Sequence, residues 1–410
     1  MDLTIKGIGK LVTPEGLGPR TGPAQGELRV LEDAYLVIRG GRILELGQGK
    51  PPPSPGPTLD AHGRLVTPGL VDPHTHAVFA GSRVEEFLAR TRGERYTGGG
   101  ILTTVAAVRS ASEAELVALA RPRLLRLLRD GTTTVEIKSG YGLTTGDELK
   151  LLRAIRRLGE ELPLTVVPTF LGAHAFPREV SREEYLELLV EEMIPQVAGE
   201  GLAEFCDVFC DRGFYTVEEA RRVLEAGKEH GLVPKLHADE LAWVGAAELA
   251  AELSAVSADH LLHVSQEGIR ALAAAGVVAV LLPGTAFVLS EPYPPARRLI
   301  EAGVPVALGS DFNPGSCPIS SMPLVISLAV LRLGLSPEEA LCAATLNAAA
   351  AVGLAGELGS LEPGKVGDLV IWDAEELGEL PYFIGHRLAL AVVKGGEVVW
   401  RESGFSPTPS

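Results

Sequence analysis

The chain has 410 residues, 46% of them hydrophobic and 22% charged, and carries a formal net charge of -16. That length exceeds one ordinary core, so a large domain with a smaller companion is expected. The acidic balance argues against nucleic acid or an anionic membrane as a partner, yet leaves room for a local basic pocket that takes a small anion.

Met1-Asp2-Leu3-Thr4-Ile5-Lys6 contains no apolar stretch of signal-peptide length, and a cytoplasmic location is expected. The first part of the chain reads as β-rich. Tyr35–Arg39, Gly40-Gly41 and Arg42–Leu46 form a predicted hairpin, and Pro51–Pro57 reads as an exposed loop. The far end has the same character, with strand candidates at Gly364–Trp372 and a second Gly-Gly hairpin over Ala391–Trp400. Residues 1–65 and 355–410 are therefore expected to build one small β-rich domain from both chain ends.

Residues 66–354 alternate strands with helices. Eight strand candidates are the apolar run Leu65–His76, Thr133–Ile137, Leu164–Val167, Phe205–Phe209, Val233–Leu236, Leu261-Leu262, Val277–Leu282 and Val304–Leu308. Helix starts are marked by capping boxes at Thr145/Glu148, Ser181/Glu184 and Thr216/Glu219, and by Ser336-Pro337. Gly131 and Gly231 mark helix ends. Ala271–Ser290 is long and uncharged, but Pro283-Gly284 interrupts it, so it reads as a helix end, a turn at Gly276 and a buried strand. Strand–helix alternation implies a parallel sheet, and eight units predict an α/β fold, a (β/α)8 barrel. An open doubly wound sheet is the second choice, weakened by the lack of a Gly-rich phosphate fingerprint. The four cysteines, Cys206, Cys210, Cys317 and Cys342, are too few and scattered for a disulfide framework.

Barrel enzymes carry their functional groups at the C-terminal ends of the strands. His74 and His76, two apart on a strand, point to one side and can offer two imidazoles to one metal ion. On their own they read more readily as unrelated surface histidines. Six of the nine histidines, at 74, 76, 174, 237, 260 and 263, nevertheless fall at or near predicted strand ends. A metal site of His74, His76, His237 and Asp311 follows, with Asp311 also placed to relay a proton from water. In isolation Asp311 also fits a helix cap or turn. His263 reads as structural, Lys138 as an ordinary ion-pair partner, and the fourth strand candidate offers little chemistry.

Pro68-Gly69-Leu70-Val71-Asp72-Pro73-His74-Thr75-His76, the later histidines, Gly309-Ser310-Asp311 and the closing Leu361–Val370 segment resemble the amidohydrolase superfamily over nearly the whole chain. The resemblance implies a metal-dependent hydrolase. Dinuclear members bridge two metals with a carboxylated lysine on the fourth strand. None stands there here, which implies a single divalent or trivalent ion, zinc or iron. His237-Ala238-Asp239-Glu240 is similar to the His-x-x-Glu of mononuclear deaminases, so deamination of a nitrogen heterocycle is the alternative. A non-catalytic scaffold on this fold would typically lack the metal ligands.

Phe79–Arg83, Tyr96–Ile101, Lys138–Leu143, Phe170–His174 and Gly309–Gly315 are similar to the imidazolonepropionase family of histidine degradation. That implies hydrolysis of the cyclic amide C–N bond of 4-imidazolone-5-propanoate to N-formimidoyl-L-glutamate. Arg83 would grip the substrate carboxylate, Tyr96, Tyr141 and His174 would bind around it, and Asn313, Gly315 and Ser316 would hold the polar end of the product. Without the resemblance Arg83 reads as a surface arginine, Tyr96 equally as core, and the last three as turn chemistry around Pro314. Glu240 would hold a ring nitrogen and share acid–base work with His260 and Asp311. A small-molecule substrate bearing a carboxylate, no nucleic-acid or membrane partner, and a homodimer complete the expectations.

Overall fold

A computed structural model describes residues 1–53, 56–93 and 100–405. The strands of the first part are β1 (Leu3–Thr13), β2 (Arg29–Arg39), β3 (Arg42–Gln48), β4 (Thr58–Asp60) and β5 (Leu65–Pro68). The middle contributes β6 (Leu70–Asp72), β7 (Thr132–Lys138), β8 (Thr165–Ala173), β9 (Phe205–Cys210), β10 (Val233–Ala238), β11 (Ser257–His260), β12 (Val278–Leu281) and β13 (Val306–Leu308). The chain ends on β14 (Leu369–Trp372), β15 (Ala389–Lys394) and β16 (Glu397–Arg401).

Two sheets result. One runs β16-β15-β14-β5-β1-β2-β3, with β4 also paired to β1, and so joins strands from both chain ends. Its two Gly-Gly turns, at 40–41 and 395–396, have positive φ throughout, as tight hairpin turns require. Leu3, Ile5, Ile8, Leu36, Ile38, Leu369 and Val393 pack on one side of it as a separate apolar core. The other sheet holds β6 to β13 in sequence order, each pair parallel, which is the (β/α)8 barrel expected from the alternation.

The barrel closes through the residues that follow its first and last strands. Ser310 donates from N–H and Oγ to the Asp72 carboxylate at 2.9 and 2.5 Å, Asp311 N–H to the His74 carbonyl at 3.0 Å, and His76 N–H to the Phe312 carbonyl at 2.9 Å. Closure is thus made by the same segments that carry His74, His76 and Asp311. At the opposite end the alanine-rich helix Leu346–Ala351 plugs the barrel, packing with Val71, Val280 and Ala307.

Several local features differ from expectation. The apolar run before the histidines is two strands, β5 in the small sheet and β6 in the barrel, divided at Gly69. A Cβ there would lie 2.3 Å from the Thr133 hydroxyl, so the close crossing of the two sheets admits only glycine. The sixth barrel strand is Ser257–His260, and Leu261-Leu262 sits in the turn after it, with Leu261 at φ 60°. The apolar pair drew the eye because the strand itself is polar, its Asp and His turned into a buried interior. The helix Thr145–Glu161 is capped by Thr144, which accepts from Asp147 N–H, and not by Thr145 with Glu148. Glu148 is buried and serves elsewhere. The boxes at Ser181 and Thr216 and the Ser336 cap are formed, as is one at Ser112/Glu115 that the sequence reading missed. Among the described residues no helix is long and apolar enough to cross a membrane.

Gly131, at φ 99°, ends the helix Glu113–Arg129 where a Cβ would meet the buried Trp372 ring at 2.8 Å. Gly131→Ala is therefore expected to cost about 1–3 kcal/mol of stability. It should show as a lower thermal midpoint, with metal content and kcat of the folded enzyme unchanged.

Candidate active site

Eight parallel strands bring the candidate ligands to one end of the barrel. Ring centroids of His74 lie 5.4 Å from His76, 4.5 Å from His237 and 5.3 Å from His260. Asp311 Oδ1 is 3.6 Å from His74 Nε2 and 3.7 Å from His76 Nε2. His74, His76 and His237 can converge on one ion, and His74, Asp311 and His260 form an overlapping group. The donor set fits a metal. Nε2 of His74 and Nε2 of His237 are both buried and make no hydrogen bond within the chain, a costly arrangement unless another group takes their lone pairs.

The other face of two of these rings is held by carboxylates. Asp259 Oδ2 is 2.6 Å from His74 Nδ1, and Asp207 Oδ2 is 3.0 Å from His237 Nδ1. The second contact is close but too poorly aligned to be a hydrogen bond, so of the two only the first is one. Asp207 Oδ1 also accepts from the His237 backbone N–H at 3.1 Å. A carboxylate on Nδ1 selects the tautomer that leaves Nε2 free for a metal.

Asp311 has φ 52° and its Oδ2 accepts from Thr285 Oγ1 at 2.6 Å. Burial pushes its carboxyl up to about 6, against the hydrogen bond from Thr285. Asp239 and His260 are also left-handed, at φ 50° and 75°. Such backbone costs about 1–3 kcal/mol per residue and persists where the surroundings over-determine it, here at three strand ends on the same rim of the barrel.

A cavity over the cluster is lined by His76, Arg83, Tyr141, His174, Glu240, His260, Asp311, Asn313 and Ser316, with Ile101, Phe209 and His237. Burial pushes the Glu240 carboxyl well above its usual range, helped by the charges of Asp311 and Asp211. Its Oε2 is 3.6 Å from His260 Nε2, and burial holds that imidazole neutral. His174 stacks on His76 at 5.1 Å, donates from Nδ1 to the Gly140 carbonyl at 3.0 Å, and is pushed down to about 3 by burial. Tyr141 is buried 5.3 Å from His174. Arg83 is buried too, with Nε and an Nη at 2.8 Å from Glu86.

The segment after Asp311 is a built turn. Asn313 Oδ1 accepts from the N–H groups of Gly315 and Ser316 at 2.8 Å, and its Nδ2 donates to the Asp311 carbonyl at 2.7 Å. Gly315 lies outside the cavity lining, and a Cβ there would stand 2.0 Å from the Arg83 guanidinium. Turn chemistry therefore accounts for what these residues touch, while Asn313 and Ser316 still wall the cavity. Tyr96 lies outside the described residues. His263 is exposed, on an outer cleft with Phe87, Arg90 and Arg212 that reaches Glu240.

The fourth strand, expected to offer little, carries Asp207, which holds His237 and Lys138. Sequence reasoning also missed two carboxylates that set loops of the site. Asp211, after the fourth strand, accepts from the N–H groups of Glu240, Leu241 and Ala242 at 2.7, 2.8 and 3.1 Å. Glu148 accepts from Gly140, Gly142 and Leu143 at 3.0, 2.7 and 2.9 Å, which sets the loop of Tyr141. The signal for Asp211 was available as an acid at the end of a buried strand.

The sequence model of the amidohydrolase family matches residues 65–399. The chain is 53% identical to the imidazolonepropionase of Symbiobacterium thermophilum, over 97% of each chain. It is 49% identical to that of Geobacillus kaustophilus, again over 97% of each. In fold it is similar to an adenosine deaminase from Xanthomonas campestris with bound zinc, at TM-score 0.74 and 21% identity, covering 97% of this chain and 92% of that one. A mutant atrazine chlorohydrolase from Arthrobacter aurescens complexed with zinc and atraton gives TM-score 0.77 at 19% identity, covering 100% and 97%. At such identities the likeness carries the fold alone.

The two missed acids should separate in kinetics. Glu148→Gln turns a donor toward one of three N–H groups, loosens the Tyr141 loop and should raise KM several-fold with metal content unchanged. Asp211→Asn displaces the Glu240 backbone and should lower kcat tenfold or more, again with metal retained.

Proposed function

We propose that this chain, which belongs to the amidohydrolase family and within it to the imidazolonepropionases, hydrolyses the ring amide of 4-imidazolone-5-propanoate to N-formimidoyl-L-glutamate. One observation carries the assignment of roles. One cavity brings His76, His237 and Asp311, a carboxyl with a raised pKa and a neutral imidazole together with a buried arginine and tyrosine.

A zinc or iron ion held by His74, His76, His237 and Asp311 would supply the Lewis acidity that makes water nucleophilic near neutral pH. The chain's own residues do the rest. Asp311 takes a proton from the attacking water. His260, neutral and buried, donates a ring N–H to the carbonyl oxygen as negative charge develops there. Glu240 enters protonated, because burial disfavours its charged form, and gives its proton to the ring nitrogen as the C–N bond breaks. The acyl carbon leaves as a carboxylate and the nitrogen as the formimidoyl amine.

Arg83 meets the propanoate carboxylate, with its fork directed by Glu86 and its approach allowed by Gly315. Tyr141 and His174 flank the ring, Asn313 and Ser316 form the facing wall, and Tyr96 is retained as a substrate contact. A cytoplasmic homodimer belongs to the same proposal. Four buried free cysteines fit a reducing compartment, and the exposed apolar run Tyr382-Phe383-Ile384 offers surface to a second copy.

Incubation of the purified chain with 4-imidazolone-5-propanoate should remove the ring absorbance and give N-formimidoyl-L-glutamate by mass, without ammonia. Ammonia released by heterocycles, with no turnover of this substrate, would move the assignment to a deaminase. Glu240→Gln should keep the metal while lowering kcat about a hundredfold or more. Full activity in that variant would remove Glu240 from the proton-transfer role.

A further inference from the structure

Below the candidate ligands the barrel interior holds Glu136, Lys138, Asp207, Lys235 and Asp259, all without solvent exposure. The Lys138 ammonium touches three carboxylates: Glu136 Oε1 at 2.9 Å, Asp207 Oδ2 at 2.8 Å and Asp259 Oδ2 at 3.3 Å. The last two oxygens are the same ones that face the imidazoles, Asp259 Oδ2 at His74 Nδ1 and Asp207 Oδ2 at His237 Nδ1. One cation therefore ties together the two oxygens that orient two separate rings. Lys235 is placed differently: it pairs with Glu136 Oε2 at 2.9 Å and donates to the Ala351 carbonyl at 3.1 Å, toward the plugged end of the barrel.

We propose that Lys138 is a positioning residue for the metal centre, holding Asp207 and Asp259 on one ammonium so that His74 and His237 keep Nδ1–H toward the carboxylates and Nε2 toward the ion. The inference rests on the metal-centre reading above. A histidine ligates only through the nitrogen whose lone pair is free, and its partner on the other nitrogen sets which one that is. Asp207 and Asp259 stand on β9 and β11, either side of the strand that carries His237. Without a cation between them, two carboxylates in a dry interior repel and turn aside, and each imidazole loses the acceptor that fixed its ring. Ser257 Oγ donates to Asp259 Oδ1 at 2.6 Å, so the second oxygen of that carboxylate is already committed and Oδ2 alone is left for the ring and the ammonium.

Lys138→Met removes the charge and keeps the apolar stem. Lys235→Met removes an equally buried ammonium from the same cluster and is the structural control. Affinity for zinc and for ferrous iron, read by competition with a chromophoric chelator on folded protein, should fall tenfold or more in Lys138→Met. It should stay within about threefold of the unmodified chain in Lys235→Met, even where both lower the thermal midpoint. Unchanged affinity in Lys138→Met, or equal losses in the two variants, overturns the proposal. Imidazole nitrogen NMR of the unmodified chain needs no variant to fold, and should show His74 and His237 as Nδ1–H tautomers in the metal-free and the zinc-loaded protein. An Nε2–H tautomer at either ring also overturns it. An unmodified chain that takes up neither metal defeats the metal-centre reading itself, a result separate from any difference between the variants.

Discussion

Five charged side chains can lie inside this barrel only because each is paired with a neighbour of opposite charge. Burial alone would lower the pKa of Lys138, yet the carboxylates of Asp207, Glu136 and Asp259 raise it overall. Burial likewise opposes ionisation of Asp207, and the charges of His237 and Lys138 hold its pKa well below the usual carboxylate range. Breaking one member of such a cluster strands its partners in low dielectric, which is far more costly than any surface pair. The histidine cluster above depends on this layer, since two of its rings have carboxylates of the layer as neighbours.

The strand ends above that layer are fixed by a second device, backbone N–H groups gathered onto buried acids. Asp211 collects the turn that carries Glu240, Glu148 the loop that carries Tyr141, and Asp72 joins the first strand to the last through Ser310. Asp239 does the same for the start of the helix Ala246–Glu252, accepting from Val244, Ala246 and Ala247. Each acid converts a flexible loop into a positioned one, so Glu240 and Tyr141 line the cavity from rigid supports. Left-handed residues at Asp239, His260 and Asp311 are sustained by these contacts and by barrel closure.

Much of this was legible in the sequence, for physical reasons. Apolar strands alternating with capped helices dictate a parallel sheet, and His-x-His at the end of the first barrel strand marks its functional end. The β-rich termini announced a shared sheet through their Gly-Gly hairpins. What escaped was polar chemistry hidden inside strands. Leu261-Leu262 reads as a strand because Ser257-Ala258-Asp259-His260 lacks apolar character, although its Ser and Asp point inward at a spacing of two. Glu136 and Lys138, and Lys235 and His237, have the same spacing on buried strands, a pattern that signals charges facing one another across a barrel. Glu148 was credited to a cap because a capping box and a loop-gathering acid look identical in sequence. Asn313 and Ser316 remain double in meaning, since one side chain builds the turn and walls the cavity at once.

The charges of the ligand set and its supporting layer can be counted together. Glu136, Asp207, Asp259 and Asp311 contribute four carboxylates, and Lys138 and Lys235 contribute two ammonium groups. Four carboxylates against two ammonium groups leave the buried assembly net negative, which favours a cation among the ligands above the layer. Lys138, on the second strand, takes up the negative charge that another cation would otherwise have to balance. The fourth strand, which carries Asp207, supplies the acid of this pair and the second strand its ammonium.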